Sequence, residues 1–541
     1  MRGADCGTTT LEYAYSTTTG LLSSLNATVQ NSSIPVTYTY QGANQLRSKA
    51  IGSVMTKAYN FGTSSGYRTA LPNFVNYRDS SSNLIYGDNC YYDSNGRLIK
   101  ILDSGSSTTT RATYGYDQQG QLTSAAVGGT SYTYTYDTAG NIQSKKVGST
   151  TTNYTYGNSA WRDLLTAYGG NTITYSGGNP TKYYDGSTFT WTQGRRLATA
   201  KVGSTNISYT YDMAGVRSSK TVGSTRYDFT TLSGLVTRQT GGGKTIDFVY
   251  DENNQPLAMK YNNTLYYYIL NAQGDVVRIV NSSRSVVASY TYDPWGKIIS
   301  SSGTLADINP LRYRGYYYDS ETGFYYLQSR YYDPEIGRFI NADSYASTDA
   351  TGLLSTNMFA YCENDPVNGS DPNGEWIHIA IGSAMGAVTS IITGYASAKQ
   401  AGKDYSLFMA VTDGLSGAAS GALAASGVGM VGQIIGNAAI EVTKGIVNGQ
   451  SSANEIIENA ISGGANGLIG GKGASYGNAN SITKSGKQML KRIFKYKDPV
   501  KKAYAHYKKT AHCKGGKFVL SELSKSFAKT TAFSLFKGST R

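Results

Sequence analysis

The sequence predicts a mainly β protein, a strip of repeated hairpins followed by a helical C-terminal region. Three observations support this fold class. The 541 residues include 47 Tyr and 63 Gly, with only 16% charged residues, a composition typical of turn-rich β-structure rather than of an average α/β enzyme. A Tyr-Asp motif recurs along the chain as far as Gly296, and the composition changes abruptly after Gly374. The length allows three or four domains.

The hairpin strip is predicted by the motif Tyr-Asp-x-x-Gly. It occurs at Tyr92 to Gly96, Tyr116 to Gly120, Tyr136 to Gly140, Tyr211 to Gly215 and Tyr292 to Gly296. An Asp that begins a tight turn bonds a downstream backbone N–H, and a Gly at the fourth position accepts the positive φ that closes a hairpin. Tyrosines alternate before the Asp, as at Tyr132, Tyr134 and Tyr136, so they share one face of a strand. Since one hairpin cannot bury such a row, we expect stacked hairpins in a continuous sheet.

The segment that follows the repeats has a distinctive sequence. It reads NPLRYRGYYYDSETGFYYLQSRYYDPEIGRFINADSYAS over 309–347 and NMFAYCENDPVNGSDPNG over 357–374. With the repeats, it resembles the core of the Rhs/YD-repeat family of polymorphic toxins. The resemblance implies a β-strip that spirals into a partial shell, and a variable toxin after the DPxG ending. The predicted domains are a repeat strip at 1–300, a core at 301–374, a Gly/Ala-rich helical pre-toxin or translocation region at 375–480, and a basic helical module at 481–541.

The resemblance also implies a function and a location. It indicates the C-terminal part of a secreted or cell-surface toxin that is used in contact-dependent competition and is paired with a cognate immunity protein. One alternative is a structural or adhesive surface protein. Another is an orphan cassette with an inactive tail, since the N-terminus lacks the apolar segment of a secretory signal.

Self-cleavage is a second activity that the resemblance implies. Aspartates of the core would cut the chain after the DPxG ending, between Gly374 and Glu375. The matching acids are Asp319, Asp333 and Asp343, with Asp371 inside the ending itself. Two carboxylates that share a proton supply an acid and a base together. Tyr318 stands where some self-cleaving relatives carry Arg, and Glu375 stands where an aliphatic residue is more usual. The alternative is that these aspartates are turn caps, as in the other repeats.

The region after the core contains two long stretches without charge. Residues 376–398 and 415–440 have no Asp, Glu, Lys or Arg and are rich in Gly, Ala and Ser. Each is long enough to cross a bilayer as a helix, and G-x-x-x-G spacings allow helices to approach closely. We therefore weigh three alternatives, which are permanent membrane residence, transient membrane insertion of 376–440, and simple packing of a helical hairpin inside the shell.

The whole net charge of the chain resides in the tail. Residues 481–541 contain 14 Lys and two Arg against Asp498 and Glu522, which equals the +14 of the full sequence. Apolar residues recur at helical spacing between the lysines. A nucleic acid or an anionic membrane surface would attract this module. The candidate nucleic-acid-binding residues are Lys491, Arg492, Lys501, Lys502, Lys508, Lys509, Lys514 and Lys517.

The tail offers one candidate catalytic pair. His506 and His512 are its only side chains that titrate near neutrality, and with neighbouring lysines they would suit a metal-free ribonuclease. The alternative is a pair of solvated histidines on a basic helix. The two acidic residues of the tail do not suggest a Mg²⁺ centre, and the four widely spaced cysteines do not suggest a zinc site. The sequence predicts no metal and no cofactor.

Overall fold

The computed structural model describes residues 9–41, 45–64, 67–106, 109–343, 357–374 and 378–379. These residues form antiparallel sheets in which each strand pairs with the next one in the chain. The architecture is therefore the predicted strip of successive hairpins, and the mainly β fold class is confirmed.

Two large sheets contain the repeats. Within the described residues, the first has 15 strands in chain order: β1 Thr9–Tyr15, β2 Leu22–Val29, β3 Ser32–Gln41, β4 Gln45–Ile51, β5 Met55–Ser64, β6 Tyr67–Arg78, β7 Leu84–Tyr92, β8 Leu98–Asp103, β9 Thr110–Tyr116, β10 Leu122–Val127, β11 Thr130–Tyr136, β12 Ile142–Val147, β13 Thr150–Thr155, β14 Ala167–Tyr168 and β15 Asn171–Thr172. The second has 14 described strands: β16 Thr174–Ser176, β17 Asn179–Lys182, β18 Thr188–Thr192, β19 Arg196–Val202, β20 Thr205–Tyr211, β21 Arg217–Val222, β22 Thr225–Leu232, β23 Leu235–Gly241, β24 Lys244–Tyr250, β25 Pro256–Tyr261, β26 Thr264–Leu270, β27 Val276–Asn281, β28 Val286–Tyr292 and β29 Ile298–Ser302.

The core forms two smaller sheets. The described strands of these sheets are β30 Tyr317–Asp319, β31 Phe324–Leu327, β32 Arg330–Asp333 and β33 Arg338–Phe339 in one, and β34 Gly369–Ser370 and β35 His378–Ile379 in the other. Two short 3-10 helices, Tyr313–Gly315 and Cys362–Asn364, accompany them.

Each repeat closes on the turn that the motif predicts. Asp93 shows the pattern: its Oδ1 accepts hydrogen bonds from the backbone N–H groups of Asn95 at 2.8 Å and Arg97 at 2.9 Å. Gly96 adopts a φ of +77°, a conformation that costs a residue with a Cβ about 1–2 kcal/mol. The aspartates of the other turns bond in the same i+2 and i+4 pattern at Asp117, Asp137, Asp251 and Asp293.

A second periodic contact links one repeat to the next. The last tyrosine of each repeat donates its hydroxyl to the carbonyl of an aliphatic residue in the preceding repeat, as Tyr116 does to Leu98 at 2.6 Å and Tyr292 to Val276 at 2.6 Å. Each of these aliphatic residues lies at a register shift of the ladder. The tyrosine hydroxyl thus satisfies a backbone carbonyl where the ladder is irregular.

The main hydrophobic core joins the repeats to the core segment. Tyr325 and Tyr332 of the four-stranded sheet are fully buried, and Tyr317 packs edge-on against Phe229 of β22 at 5.4 Å between ring centroids. The aromatic face of the repeats is therefore buried against the core segment. This contact supplies the burial that a single hairpin lacks.

A second hydrophobic cluster joins the two large sheets. Leu25 and Val36 of β2 and β3 pack with Val249, Leu257 and Ile269 of β24 to β26. Every residue of β25 is buried, as expected for a strand that is covered on both faces.

A buried ion pair accompanies this cluster. Lys49 Nζ lies 2.7 Å from Asp251 Oδ2 and 2.8 Å from Glu252 Oε1, and Tyr38 donates a hydrogen bond to Glu252. Lys49 and Asp251 are separated by 202 residues in the chain. The ion pair therefore connects an early strand of the first large sheet to a distant turn of the second.

The predicted helical region lies almost wholly outside the described residues. Of residues 375–541, only His378 and Ile379 are described, and they pair antiparallel with Ser370 and Gly369. The described part of the chain contains no helix with the length and hydrophobicity that crossing a bilayer requires. The predictions for 376–440 and for 481–541 therefore remain predictions.

Candidate processing site at the end of the core

The DPNG ending is held by one turn of the core. Three consecutive residues, from the turn after β31 to the first residue of β32, each donate to a successive carbonyl of the ending. Gln328 Nε2 donates to Pro372 O at 3.3 Å. Ser329 donates to Asn373 O through its Oγ at 2.7 Å and its backbone N–H at 3.2 Å. Arg330 Nε donates to Gly374 O. This one-to-one pattern fixes the position of the peptide up to Gly374.

Gly374 fits this turn because it has no side chain. Its φ is +73°, and a Cβ there would lie 2.7 Å from Ser329 Oγ and 2.8 Å from Leu327 O. Real Cβ atoms essentially never approach a backbone oxygen that closely. Both the conformation and the space therefore require glycine at the last residue of the ending.

Arg330 brings two carboxylates to the same place. Its Nη2 lies 2.9 Å from Asp343 Oδ2 and 3.5 Å from Asp371 Oδ2. Its Nη1 donates to Met358 O at 3.1 Å, and its guanidinium lies over the Phe339 ring at 3.5 Å from the centroid. Arg330 is 3% exposed, so the carbonyl of Gly374 and two aspartates share one buried guanidinium.

Asp343 and Asp371 differ in their surroundings. Asp371 is 2% exposed, and its backbone N–H donates to Tyr316 Oη at 2.7 Å. The side chain of Asp343 is 12% exposed and also lies 3.4 Å from Arg195 Nη1. Asp343 is therefore the carboxylate of this pair that retains contact with solvent.

Asp319 lies in a different environment, a buried ion-pair cluster. Its Oδ2 lies 2.5 Å from Arg217 Nη1 and its Oδ1 lies 3.0 Å from Lys220 Nζ. Burial raises the pKa of Asp319, but the two cations outweigh it and hold this pKa below its ordinary value. The turn after Asp319 closes on its backbone carbonyl, which accepts from Gly323 N–H at 2.8 Å. The side chain of Asp319 thus joins the core to strand β21.

Asp333 occupies a third environment. Its Oδ1 accepts from Glu335 N–H at 2.8 Å, which is the turn-cap geometry. Its Oδ2 accepts from the hydroxyls of Tyr183 at 3.0 Å and Tyr184 at 3.1 Å. Burial, only partly offset by these hydrogen bonds, raises the pKa of Asp333 to about 7.

The register of the four-stranded sheet separates these acids. Asp319 is paired with Phe324 and Asp333 with Arg338, whereas Leu327 is paired with Arg330 at the other end of β31. Three residue steps along a strand amount to roughly 10 Å. Of the three predicted aspartates, the structure places only Asp343 beside Arg330, the residue that holds Gly374, while Asp319 and Asp333 lie at the opposite end of the sheet.

The segment 357–374 is anchored along successive repeat turns. Three asparagines of this segment form hydrogen bonds of 2.7 to 3.0 Å with residues of these turns. The contacts are those of Asn368 with Leu98 and Tyr116, of Asn364 with Gln121 and Gly140, and of Asn357 with Asn141. The ending is therefore fixed to the repeats as well as to the core.

Several predicted site residues lie outside the described residues. They are Glu375, His506, His512, Lys491, Arg492, Lys501, Lys502, Lys508, Lys509, Lys514 and Lys517. Among the residues that the structure describes, no cluster of His, Cys, Asp and Glu could hold a metal ion.

Sequence reasoning missed Arg330, Ser329 and Arg217. The signal that could have found Arg330 is a basic residue inside the aromatic run QSRYYDP, since a charge in a buried strand requires a partner.

Comparisons with known proteins agree with this architecture. The family described as Teneurin YD-shell matches residues 76–367. The "tRNA3(Ser)-specific nuclease WapA" of Bacillus spizizenii is 36% identical over 234 residues, which cover 41% of this chain and 10% of that protein. "Toxin protein Tse5" of Pseudomonas aeruginosa is 41% identical over 83 residues, which cover 15% of this chain and 6% of that protein. The matched part of this chain thus spans a tenth or less of these relatives.

One similar solved structure is the crystal structure of TcdB2-TccC3-Cdc42. It superimposes with a TM-score of 0.55 at 20% identity and covers 68% of this chain and 20% of that chain. At this identity the similarity concerns the fold alone.

Proposed function

The chain belongs to the Teneurin YD-shell family of Rhs/YD-repeat proteins, and from this membership we propose that it is the carrier part of a secreted or cell-surface polymorphic toxin. In this proposal the β-repeats and the core hold the chain up to Gly374, and the residues after it are the effector used in contact-dependent competition. The observation that carries the proposal is the turn 328–330, whose residues donate hydrogen bonds to three successive carbonyls of the ending. These hydrogen bonds lie at the point in the chain where the composition of the sequence changes.

The effector is proposed to act on nucleic acid. The tail has a net charge of +14 over residues 481–541, and such a charge favours phosphate-rich partners. The names of WapA relatives from three Bacillus strains describe tRNA nucleases, which supports RNA as the substrate class. His506 and His512 are the proposed acid and base, and a cognate immunity protein is the proposed inhibitor.

Expression of the full chain in a bacterial host tests this function. The comparison includes the wild type, a His506→Ala/His512→Ala variant and a chain that stops at Gly374. We expect growth arrest with cleaved RNA for the wild type only, measured by plating and by gel analysis of total RNA. Normal growth with intact RNA for the wild type would contradict the nuclease and favour an adhesive protein. Arrest with intact RNA and a depolarised membrane would favour insertion of 376–440.

Self-processing at the Gly374–Glu375 bond is a second proposed function. It is favoured by the contact of Arg330 with Gly374 O and by the two carboxylates on the same guanidinium. The purified chain would then consist of two fragments that divide after Gly374, and mass spectrometry would give Gly374 and Glu375 as the new termini. A wild-type chain that stays intact after folding would contradict this proposal.

A further inference from the structure

We propose that Lys49 and Asp251 react with each other to form an intramolecular isopeptide bond, an amide between the lysine amine and the aspartate side chain, with Glu252 as the group that transfers the protons. The bond would join strand β4 of the first large sheet to the turn that follows β24 in the second. It goes beyond the proposed toxin and self-processing functions and depends on neither.

The three reacting side chains are already in contact. Lys49 Nζ lies 2.7 Å from Asp251 Oδ2. Since a C=O bond is about 1.2 Å long, this nitrogen lies within about 4 Å of Asp251 Cγ. Glu252 Oε1 lies 2.8 Å from the same nitrogen. The fold therefore holds together an amine, the carbon that it attacks and a proton acceptor, so that the reaction requires no further encounter.

The turn after β24 activates the carboxyl group of Asp251. Its Oδ1 accepts hydrogen bonds from the backbone N–H groups of Asn253 at 2.8 Å and Gln255 at 3.0 Å, whereas its Oδ2 faces Lys49. When the amine attacks Cγ, these two N–H groups can stabilise the negative charge that develops on Oδ1, as an oxyanion hole does. Oδ2 is then the oxygen that leaves.

Burial favours the amide over the ion pair. The side chains of Lys49 and Asp251 are 3% and 7% exposed, and Lys49 Nζ also lies 5.5 Å from the centroid of the Tyr38 ring. Two buried charges carry a desolvation cost that a neutral amide does not carry. The release of water from this interior therefore drives the reaction towards the bond.

The reaction is a condensation that releases one water molecule. Burial lowers the pKa of Lys49, but Asp251 and Glu252 outweigh it and raise this pKa above its ordinary value. The ammonium must therefore first pass a proton to Glu252, whose pKa is raised by burial. The neutral amine attacks Asp251 Cγ and forms the C–N bond.

Glu252 then completes the proton transfers. It gives the first proton to Oδ2, takes a second proton from the attacking nitrogen and passes it to the same oxygen. The bond between Cγ and Oδ2 breaks as water leaves, and Oδ1 becomes the carbonyl oxygen of the amide. One ammonium and one carboxylate thus become one amide and one water molecule. Glu252 ends unchanged, and no oxidant or cofactor is consumed.

A second buried lysine shows what the reaction requires. Lys220 Nζ lies 3.0 Å from Asp319 Oδ1, but Oδ2 of that carboxylate is bound to Arg217. Although burial raises the pKa of Asp319, these cations hold it below its ordinary value. The carboxylate therefore stays ionised and resists attack by an amine. We expect Lys220 to remain in an ion pair, which makes it the matched control.

Peptide mapping of the purified full chain tests the proposal. Trypsin digestion of the unfolded protein should give a branched peptide in which residues 48–57 are joined to residues 245–260, without cleavage after Lys49. Its mass should be lower by one water molecule than the sum of the two peptides, and fragmentation should assign the link to Lys49 and Asp251. The map is the same whether or not the chain is cut after Gly374, so the result is independent of self-processing.

Three variants assign the roles, and resistance to limited proteolysis confirms that each is folded. Lys49→Arg should not give the branched peptide, because a guanidinium stays charged. Glu252→Gln retains the size of the side chain but cannot take up a proton. After refolding from urea it should form the bond at least about 10²-fold more slowly, a loss typical of general acid–base catalysis. Lys220→Arg should form the bond at the wild-type rate.

Two results would contradict the proposal. A wild-type digest that contains the linear peptides 50–57 and 245–260 and no branched peptide would overturn the bond itself. Because this result comes from the wild type, it does not depend on the folding of any variant. Equal rates of bond formation in the wild type and in folded Glu252→Gln would overturn the role of Glu252.

Discussion

Arg217 of β21 and Asp319 of β30 form an ion pair at 2.5 Å whose side chains are 1% and 0% exposed. The guanidinium of Arg217 also lies within about 6 Å of five aromatic rings, the range of a cation–π contact, and these rings are those of Tyr209, Phe229, Tyr317, Tyr326 and Tyr331. A buried charge is tolerated only with such partners. The pair therefore fixes the core segment to one particular repeat strand.

Replacing Arg217 with Met should destabilise the protein strongly. The change leaves the Asp319 carboxylate buried with Lys220 as its remaining cation, and breaking a buried pair from one side costs about 3–5 kcal/mol. Urea unfolding followed by tyrosine fluorescence measures the free energy of unfolding. The control is Arg226→Met, which removes the exposed Arg226–Asp228 pair and should leave the unfolding midpoint unchanged. Equal midpoints for the two variants would contradict the structural role of Arg217.

Stability should depend on pH through Asp333. Burial raises its pKa from 3.8 to about 7 in the folded chain, so the folded state binds a proton that the unfolded state releases. The free energy of unfolding should therefore increase as the pH falls through this window, by roughly 2 kcal/mol between about pH 7 and about pH 5 from this group. Burial also raises the pKa values of Asp293 and Asp365 to about 6, with the same sign.

Urea unfolding of the wild type and Asp333→Asn at several pH values checks this dependence. The variant cannot titrate, so its stability should vary less with pH than that of the wild type. The matched control is Asp228→Asn, at an exposed position, which should preserve the wild-type slope. A wild type that loses stability on acidification over this range would contradict the prediction.

The repeat turns could be predicted from sequence because their chemistry is local. An Asp and a Gly three residues apart contain the hydrogen-bond acceptor and the positive φ that the turn requires. The same turns occur without the motif where Asn254 takes the positive φ after Asp251 and where Asn271 replaces the Asp. Asparagine tolerates the positive φ, and its side-chain oxygen accepts the same two hydrogen bonds at Asn271, whose turn retains Gly274. A search for the exact motif Tyr-Asp-x-x-Gly therefore missed these copies.

The candidate site could be predicted only in part. The DPNG ending and Asp343 were found from the resemblance, but Arg330 lies 44 residues before Gly374, and Arg217 lies 102 residues before Asp319. No local pattern reports such contacts, because they depend on which repeat strand the core packs against. For the same reason the sequence could not distinguish Asp343, beside Arg330, from Asp319 and Asp333 at the other end of the sheet.

Replacing Gly374 with Ala should detach the ending from its turn. The new Cβ would lie 2.7 Å from Ser329 Oγ and 2.8 Å from Leu327 O, which would displace Gly374 from Arg330. We expect faster proteolysis near 371–374 and self-processing slowed at least tenfold. Gly203→Ala is the matched control, because Gly203 has a φ of +57° and a Cβ added there would meet no atom within 4 Å. If Gly203→Ala changes proteolysis and self-processing as much as Gly374→Ala does, the effect comes from backbone strain and not from the fit of Gly374 to its turn.

The tail should bind RNA with an affinity that falls steeply with salt. Each phosphate contact of a lysine releases counterions, so the slope of log affinity against log salt reports the number of contacts, at about 0.7 per contact for single strands. Substituting Lys501, Lys502, Lys508 and Lys509 with Gln in the full chain should reduce this slope by up to roughly 3. Fluorescence anisotropy with a labelled single-stranded RNA measures this slope.

The matched control substitutes four exposed lysines of the repeats, Lys146, Lys182, Lys201 and Lys244, and should leave the slope unchanged. Equal losses in both variants would show that the charge of the whole chain, not the tail, attracts RNA. Salt-insensitive binding, or a preference for anionic vesicles over RNA, would instead assign the tail to a membrane surface.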